Sequence, residues 1–482
     1  MNKIIFIELN EVPLRVFDRY AEEKPRSHVA RFMKRSRQFE TVTEDKIQLD
    51  PWISWPTMHR GVTDEQHQIL HLGQILDETD KKYPPIWTIL SKAGLKVGVF
   101  GSLHSNNLPE NVDQFSFYVP DFFAHEVFAS PTELLPFQNL NVTMTRESAR
   151  NVSDRLPLDL IGSTAKSFPA LGIKFDTLVE GARQLASEKL NSKRKIRRRN
   201  YQSLLMADVM VKQLKETKPD FATIYSNNVA AAMHRYWAAT FPEDYDNLTV
   251  TPGWIDTYKG EIFAAMDTFD KVLAKVMAFA EQNTEYSVVI GSSMGQGAIP
   301  CEHANSFQTI IDLDKFMAAM GLEKDEWIYR PAMVPCLGVV VESEDARERL
   351  RKALSKFQID GQHIQRDDRP LMPMTWDEKD NGFFHFYTQF DDYEGSGLAL
   401  IGNRQFTLEE LGIDTMAHED GVNCTAQHKP TGSLLIYSPG AQSVANGKSR
   451  EQVSTLDFVP SVLKHFGLEQ PDYLKGESKL VF

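Results

Sequence analysis

The chain has 482 residues, 42% of them hydrophobic and 25% charged, with a formal net charge of −13. This is the balance of a soluble globular protein, and the acid excess speaks against nucleic acid or an anionic membrane as the main partner, local patches apart. Three cysteines (Cys301, Cys336, Cys424) without metal-site spacing, and no apolar run long enough for a signal peptide or a membrane span, point to a reducing, cytoplasmic setting.

IIFIEL (4–9) is a short continuous apolar run, the pattern of a strand buried on both faces. PPIWTILSKAG (84–94) reads as a helix stopped by glycine, and LKVGVFGS (95–102) as the strand after it. The same helix-then-strand order recurs at 201–218 into DFATIYSN and at 261–282 into YSVVIGSS. It predicts an α/β fold with a largely parallel sheet. Two stretches interrupt it. Residues 103–200 show little periodicity, read as an irregular insertion or cap, and end in the basic run Lys193–Arg199. Residues 301–410 read as a small inserted α+β lobe of strand, helix, strand and strand. The basic run fits either a solvated helix start or a lid over an anionic substrate.

Candidate chemistry lies beyond the strand ends, where α/β proteins gather ligands. In LDPWISWPTMHRGV (49–62), Thr57 follows a proline and precedes a segment that can begin a helix. It is either an N-cap or a hydroxyl presented to a phosphate at a helix N-terminus. His59 and Arg60 beside it offer a proton acceptor and a phosphate clamp. His234 follows one predicted strand, and His428 precedes another, SLLIYS; the two could converge on a metal. VVIGSSMGQG (288–297) ends a further strand in a loop with no charge and no good metal ligand.

Taken in order, IIFIELNE, PTMHRGV, EQHQI, YSNNVAAAMH, VVIGSSMGQG, AQHKPTGSLLI and STLDFVPSVLKHFGLEQPDYLKG resemble the alkaline phosphatase superfamily and, within it, the type I phosphodiesterase/nucleotide pyrophosphatase branch. The resemblance implies one α/β sandwich over 1–482 around a mostly parallel sheet, with inserted cap regions. It also implies a Thr nucleophile flanked by two divalent metals, commonly zinc. On that pattern Thr57 falls on the nucleophile, Glu8 on the first-strand acid (normally Asp), and His234 and His428 on two metal-binding histidines. Ala230, Ser293 and Met294 fall where Asp, Asp and His are expected, so both metal sites are degenerate.

What the resemblance implies is therefore a phosphodiesterase- or phosphatase-like hydrolase or transferase acting on a phosphate or sulfate ester with one metal (zinc or manganese) or none. The partner would be a small-molecule or glycan phosphate ester. Without metal, Thr57 would need a base, for which His59 and His67 are candidates, and Arg60 would meet the transition-state charge. Trp52, Trp55 and Trp237 are placed to stack on a sugar or base, or are core residues; Asn227 and Asn228 are placed to hydrogen-bond a substrate, or turn the chain. The alternative is a non-catalytic protein that binds a sugar phosphate, nucleotide or glycan in the retained pocket.

Overall fold

The computed structural model describes residues 2–148, 158–300, 304–363, 365–366, 374–418, 420–422, 424–439 and 450–482; Cys301 lies outside them. Lys3–Leu9 is the strand on which the core is built: its residues from Ile4 onward are buried on both faces, as its unbroken apolar sequence requires. It pairs in parallel with Phe221–Ser226 on one side and Tyr286–Gly291 on the other. The eight-stranded sheet runs Glu451–Ser454, Arg37–Val42, Leu434–Tyr437, Tyr286–Gly291, Lys3–Leu9, Phe221–Ser226, Val97–Phe100, Phe117–Val119. All neighbours are parallel except Leu434–Tyr437, which is antiparallel to both of its own.

Helices cover both faces, so the α/β sandwich around a mostly parallel sheet is the observed architecture. On one face Phe6 meets Phe458 at 4.5 Å and Trp55 at 6.1 Å between ring centroids. These two rings belong to the helices Pro51–Arg60 and Phe458–His465. On the other face the long helices Asn200–Thr217 and Glu261–Gln282 pack together, with Leu14–Glu23 joined through Phe17 and Phe269.

The described residues of the segment 103–200 are not irregular. Phe117–Val119 is an edge strand of the main sheet, and the helices Leu135–Ser148, Leu158–Ala165 and Phe175–Leu190 follow. Its polar inward-facing residues hide the helical period from a hydrophobicity scan. Between Ser306 and Ala417 lies a lobe with its own apolar core, in which Phe316, Leu350, Phe357 and Phe386 meet beneath the helix Glu344–Leu354. His71 ties the lobe to the main body: its ring stacks on His385 at 3.9 Å and its Nε2 lies 3.2 Å from Asp377. Among the described residues Cys336 and Cys424 form no disulfide. Among the described residues no helix is long and apolar enough to cross a membrane.

Candidate functional site

The chain leaves the Lys3–Leu9 strand through Asn10 and turns sharply at Glu11, whose φ of 59° is in the left-handed region. A non-glycine residue there is held by its surroundings at a cost of about 1–3 kcal/mol. The turn throws the Glu11 carboxylate back over the strand ends, where it is 2% exposed. His234 arrives on the helix Asn228–Thr240, which begins directly after the Phe221–Ser226 strand. His428 arrives on the strand Ala426–Lys429, paired antiparallel with Gly295–Ala298 so that His428 stands opposite Gln296.

These three side chains converge. Nε2 of His234 lies 3.0 Å and Nε2 of His428 3.3 Å from the same oxygen, Oε2 of Glu11. The rings meet edge-on, 5.1 Å between centroids. The other nitrogen of each imidazole is fixed by a backbone carbonyl: Nδ1 of His234 donates to Ala426 at 2.9 Å and Nδ1 of His428 to Leu49 at 2.8 Å. Carbonyls on Nδ1 leave Nε2 as the ligating atom, the usual support of a metal-bound histidine. Two imidazoles and a carboxylate, with ligand atoms within 4.8 Å of one another, fit a divalent cation of the kind that His₂Glu sites hold.

The uncharged loop after Tyr286–Gly291 holds this arrangement in place. Ser292 donates its hydroxyl to the Leu9 carbonyl and accepts from Val12 N–H at 3.1 Å, pinning both sides of the Glu11 turn. Ser293 pairs with Ser54 at 2.7 Å, Met294 is fully buried, and Gln296 donates to Glu11 Oε2 at 2.5 Å and to the Ala230 carbonyl at 3.2 Å. Gly295 lies so close to the Thr431 carbonyl that a Cβ would come within 2.0 Å of its oxygen. Ala230, Ser293 and Met294 therefore serve packing and hydrogen bonding and offer no ligand to the cluster.

Charge follows from this geometry. Burial works against ionising Glu11, but His428 and His234 outweigh it and hold the carboxyl well below its usual range. Burial likewise works against charging His428, yet Glu11 and Asp50 raise it to about 9. For His234, burial is again outweighed by Glu11, with Cys424 adding to the rise. Near neutrality the cation-free cluster thus pairs an ionised Glu11 with a protonated His428, and Glu11 pushes His234 in the same direction.

Glu8 does not join it. It is fully buried and accepts a 2.8 Å contact from His59 Nε2, and the acid of the cluster is Glu11, three residues on. Nor does Thr57 open a helix. The helix runs Pro51–Arg60 with Asp50 as its N-cap, so Thr57 lies seven residues in, about 10 Å along the axis. Its hydroxyl is fully buried, donates to Asp45 and accepts from His67 Nε2 at 3.0 Å. Because His67 Nδ1 accepts from Ile69 N–H at 2.9 Å, its proton sits on Nε2, and His67 cannot act as a base toward Thr57. Burial, with Arg60 and His104 nearby, keeps that ring neutral. His59 is stacked between Trp55 and Trp87, and Arg60 is buried against Asp80 at 2.6 Å. None of Thr57, His59 and Arg60 reaches the cluster. The side chain at the helix N-terminus beside it is Asp50, whose Oδ1 is 3.2 Å from His428 Nδ1. The signal in the sequence is DPW: a capping Asp followed by Pro in the first helical position.

The aromatic and amide residues act as supports. Trp55, fully buried, donates to Asn10 Oδ1 at 2.7 Å; Asn10 in turn donates to Glu11 Oε1 at 2.5 Å and to Asn227 Oδ1 at 2.8 Å. Asn228 joins its helix to the Ala265 carbonyl at 3.1 Å, and Trp237 is buried with its N–H on Asp244. Only Trp52 is partly open, donating to the Leu70 carbonyl at 3.1 Å. Neither Trp55 nor Trp237 has a face free for a sugar or base. In the basic run, Arg197 clasps Glu261 with two bonds of 2.6 and 2.7 Å and Arg198 pairs with Glu188.

Residues 50–386 match the sequence profile of the type I phosphodiesterase/nucleotide pyrophosphatase family. No curated protein matches the sequence at a significant level. Among solved structures, murine ectonucleotide pyrophosphatase/phosphodiesterase 5 aligns over 98% of this chain and 97% of its own at 11% identity, with a TM-score of 0.43. The human protein of the same name aligns over 97% and 96% at 11% identity, with a TM-score of 0.39.

Proposed function

Because the chain belongs to the type I phosphodiesterase/nucleotide pyrophosphatase family, we propose that it hydrolyses or transfers a phosphate ester at the Glu11–His234–His428 cluster with a single divalent cation, zinc or manganese. The observation that carries this reading is the convergence of two imidazole Nε2 atoms on one carboxylate oxygen, each ring oriented from behind by a carbonyl. A divalent cation held there supplies Lewis-acid polarisation of a phosphoryl oxygen and a bound water of lowered pKa. Among the described residues no second set of ligands stands beside this cluster, and Ser293 and Met294 occupy the positions where the resemblance would place the acid and imidazole of a second cation.

The chain's own residues supply the rest. Asn10 and Gln296 fix the Glu11 carboxylate. The N-terminal end of Pro51–Arg60, reached through Leu49 and Asp50 beside His428, turns its positive dipole end toward a phosphoryl group. Asp50 braces His428 from its Nδ1 side at 3.2 Å; in hydrolysis one proton of the attacking water would pass to the departing ester oxygen as its P–O bond breaks. Thr57 is left out of this scheme because its hydroxyl is buried and committed to Asp45 and His67. Turnover of bis(p-nitrophenyl) phosphate by the zinc- or manganese-loaded protein tests the reading. Glu11→Gln and His234→Ala should each remove both the activity and the bound cation.

A second reading, binding without chemistry, draws on the charge of the cation-free cluster. The protonated His428 and the upward-shifted His234, 26% exposed, would form a cationic lip for a sugar phosphate, nucleotide or phosphorylated glycan. Saturable binding of a phosphate ester by a protein that takes up no metal and turns nothing over would favour it.

A further inference from the structure

The helix Phe175–Leu190 is turned inside out. The residues it buries are polar: Thr177, which accepts from Lys275 at 3.1 Å, and Gln184, which donates to the Arg194 carbonyl at 2.7 Å. The residues it exposes are apolar. Phe175 is 80% and Leu190 88% exposed at the two ends, with Leu178 and Leu185 at 39% and 40% between them. Ala182 and Ala186 are exposed on the same side, so the spacing 175, 178, 182, 185/186 and 190 forms one stripe about 24 Å long. A water-facing helix of a soluble protein normally shows the opposite pattern.

Charge is segregated with the stripe. Residues 174–199 hold nine Lys and Arg against three Asp and Glu, a net of +6 in a chain of net −13. Arg197 and Arg198 are committed to Glu261 and Glu188, whereas Lys189, Lys193 and Arg194 stand exposed at the end of the stripe beside Leu190. Protruding apolar side chains flanked by exposed cations form a surface that lies in a bilayer interface, its apolar face at the acyl boundary and its cations among anionic headgroups. A second copy fits less well. Laid antiparallel on the stripe, it would set Lys189, Lys193 and Arg194 against Lys174 and a single exposed acid, Asp176.

We propose that the Phe175–Leu190 helix and the basic turn after it dock this protein peripherally on an anionic lipid surface, with the apolar stripe toward the membrane. The surface is separate from the Glu11–His234–His428 cluster and does not depend on what that cluster does.

The test is co-sedimentation of the full chain with vesicles of phosphatidylcholine alone and with vesicles of equal parts phosphatidylcholine and phosphatidylglycerol. The wild type should pellet with the anionic vesicles and remain in solution with the neutral ones. Phe175→Ser/Leu190→Ser should lose this binding, and Lys189→Glu/Lys193→Glu/Arg194→Glu should weaken it by about tenfold or more. Both variants change exposed residues and should melt as the wild type does. In an otherwise wild-type chain, Phe175→Trp fluorescence should shift to the blue on adding anionic vesicles. A wild type that stays in solution with anionic vesicles, or a serine variant that still pellets, overturns the proposal. So does a wild-type dimer, seen by light scattering, that dissociates in the serine variant while neither protein binds vesicles.

Discussion

His234 and His428 present their Nε2 atoms to one oxygen of Glu11, at 3.0 and 3.3 Å. The imidazoles reach that oxygen from a helix that follows one central strand and from a short ribbon beyond another. The acid reaches it only because Glu11 is held in the left-handed conformation. The cluster is a convergence of three separate segments, and its behaviour with and without a cation follows from that.

Removing the acid leaves two buried imidazoles without their counter-charge. Glu11→Gln should lower the pKa of both His234 and His428, measurable by NMR titration of the cation-free protein. Breaking a buried ion pair from one side costs roughly 3 kcal/mol, readable as a lower urea midpoint near neutral pH.

The cation-free protein should also lose stability as the solution becomes alkaline. His428 titrates near about 9 in the folded chain against an ordinary value of 6.5, its burial outweighed by Glu11 and Asp50. A raised histidine stabilises fully below its unfolded pKa and ceases to do so as pH rises through the folded one. The loss therefore falls between about pH 6.5 and 9 and amounts to on the order of 3 kcal/mol. Glu11, held low, adds the mirror effect: its contribution is present above the ordinary carboxylate range and fades as the pH falls below it. Urea midpoints in chelator from pH 5 to 10 should show the alkaline decline. Zinc affinity should rise over the same interval, because the cation displaces the Nε2 protons.

Thr57 should prove structural. Thr57→Val leaves Asp45 and the His67 N–H short of a partner and should cost about 1–3 kcal/mol of stability. Metal content and kcat toward bis(p-nitrophenyl) phosphate should stay at wild-type level in the folded variant. Loss of turnover with fold and metal intact would return Thr57 to the reaction.

The supports of the cluster should matter nearly as much as its ligands. Gln296→Ala removes the 2.5 Å bond to Glu11 and should weaken zinc binding about 10–100-fold. Gly295→Ala drives a Cβ to 2.0 Å from the Thr431 oxygen and should destabilise the protein by about 3 kcal/mol. Isothermal titration and thermal melting check the two.

The buried strands were legible because two-sided burial writes itself as unbroken apolar sequence, as in IIFIEL and YSVVIG. His234 and His428 were legible as strand-end residues that could converge on a metal, and the structure brings them together at Glu11. The acid was not, since ELNE offers two glutamates and only the backbone turn decides which one faces the imidazoles. A left-handed Glu carries no compositional mark of the kind Gly or Asn would. Pro56 disguised the helix start, because a proline inside a helix reads like one at its beginning. The tryptophans were ambiguous for a similar reason: ring burial in Trp55 and Trp237 is set by tertiary packing that no local pattern encodes.

The proposed chemistry depends on one divalent cation held through Glu11, His234 and His428. The most direct measurement is metal content by mass spectrometry, before and after incubation with zinc and with manganese, in the wild type and in Glu11→Gln and His234→Ala. The predicted result is about one metal per wild-type chain and none in either variant, as a three-ligand site requires. A folded wild type that binds no metal under any of these conditions, or variants that bind as much as the wild type, would contradict it.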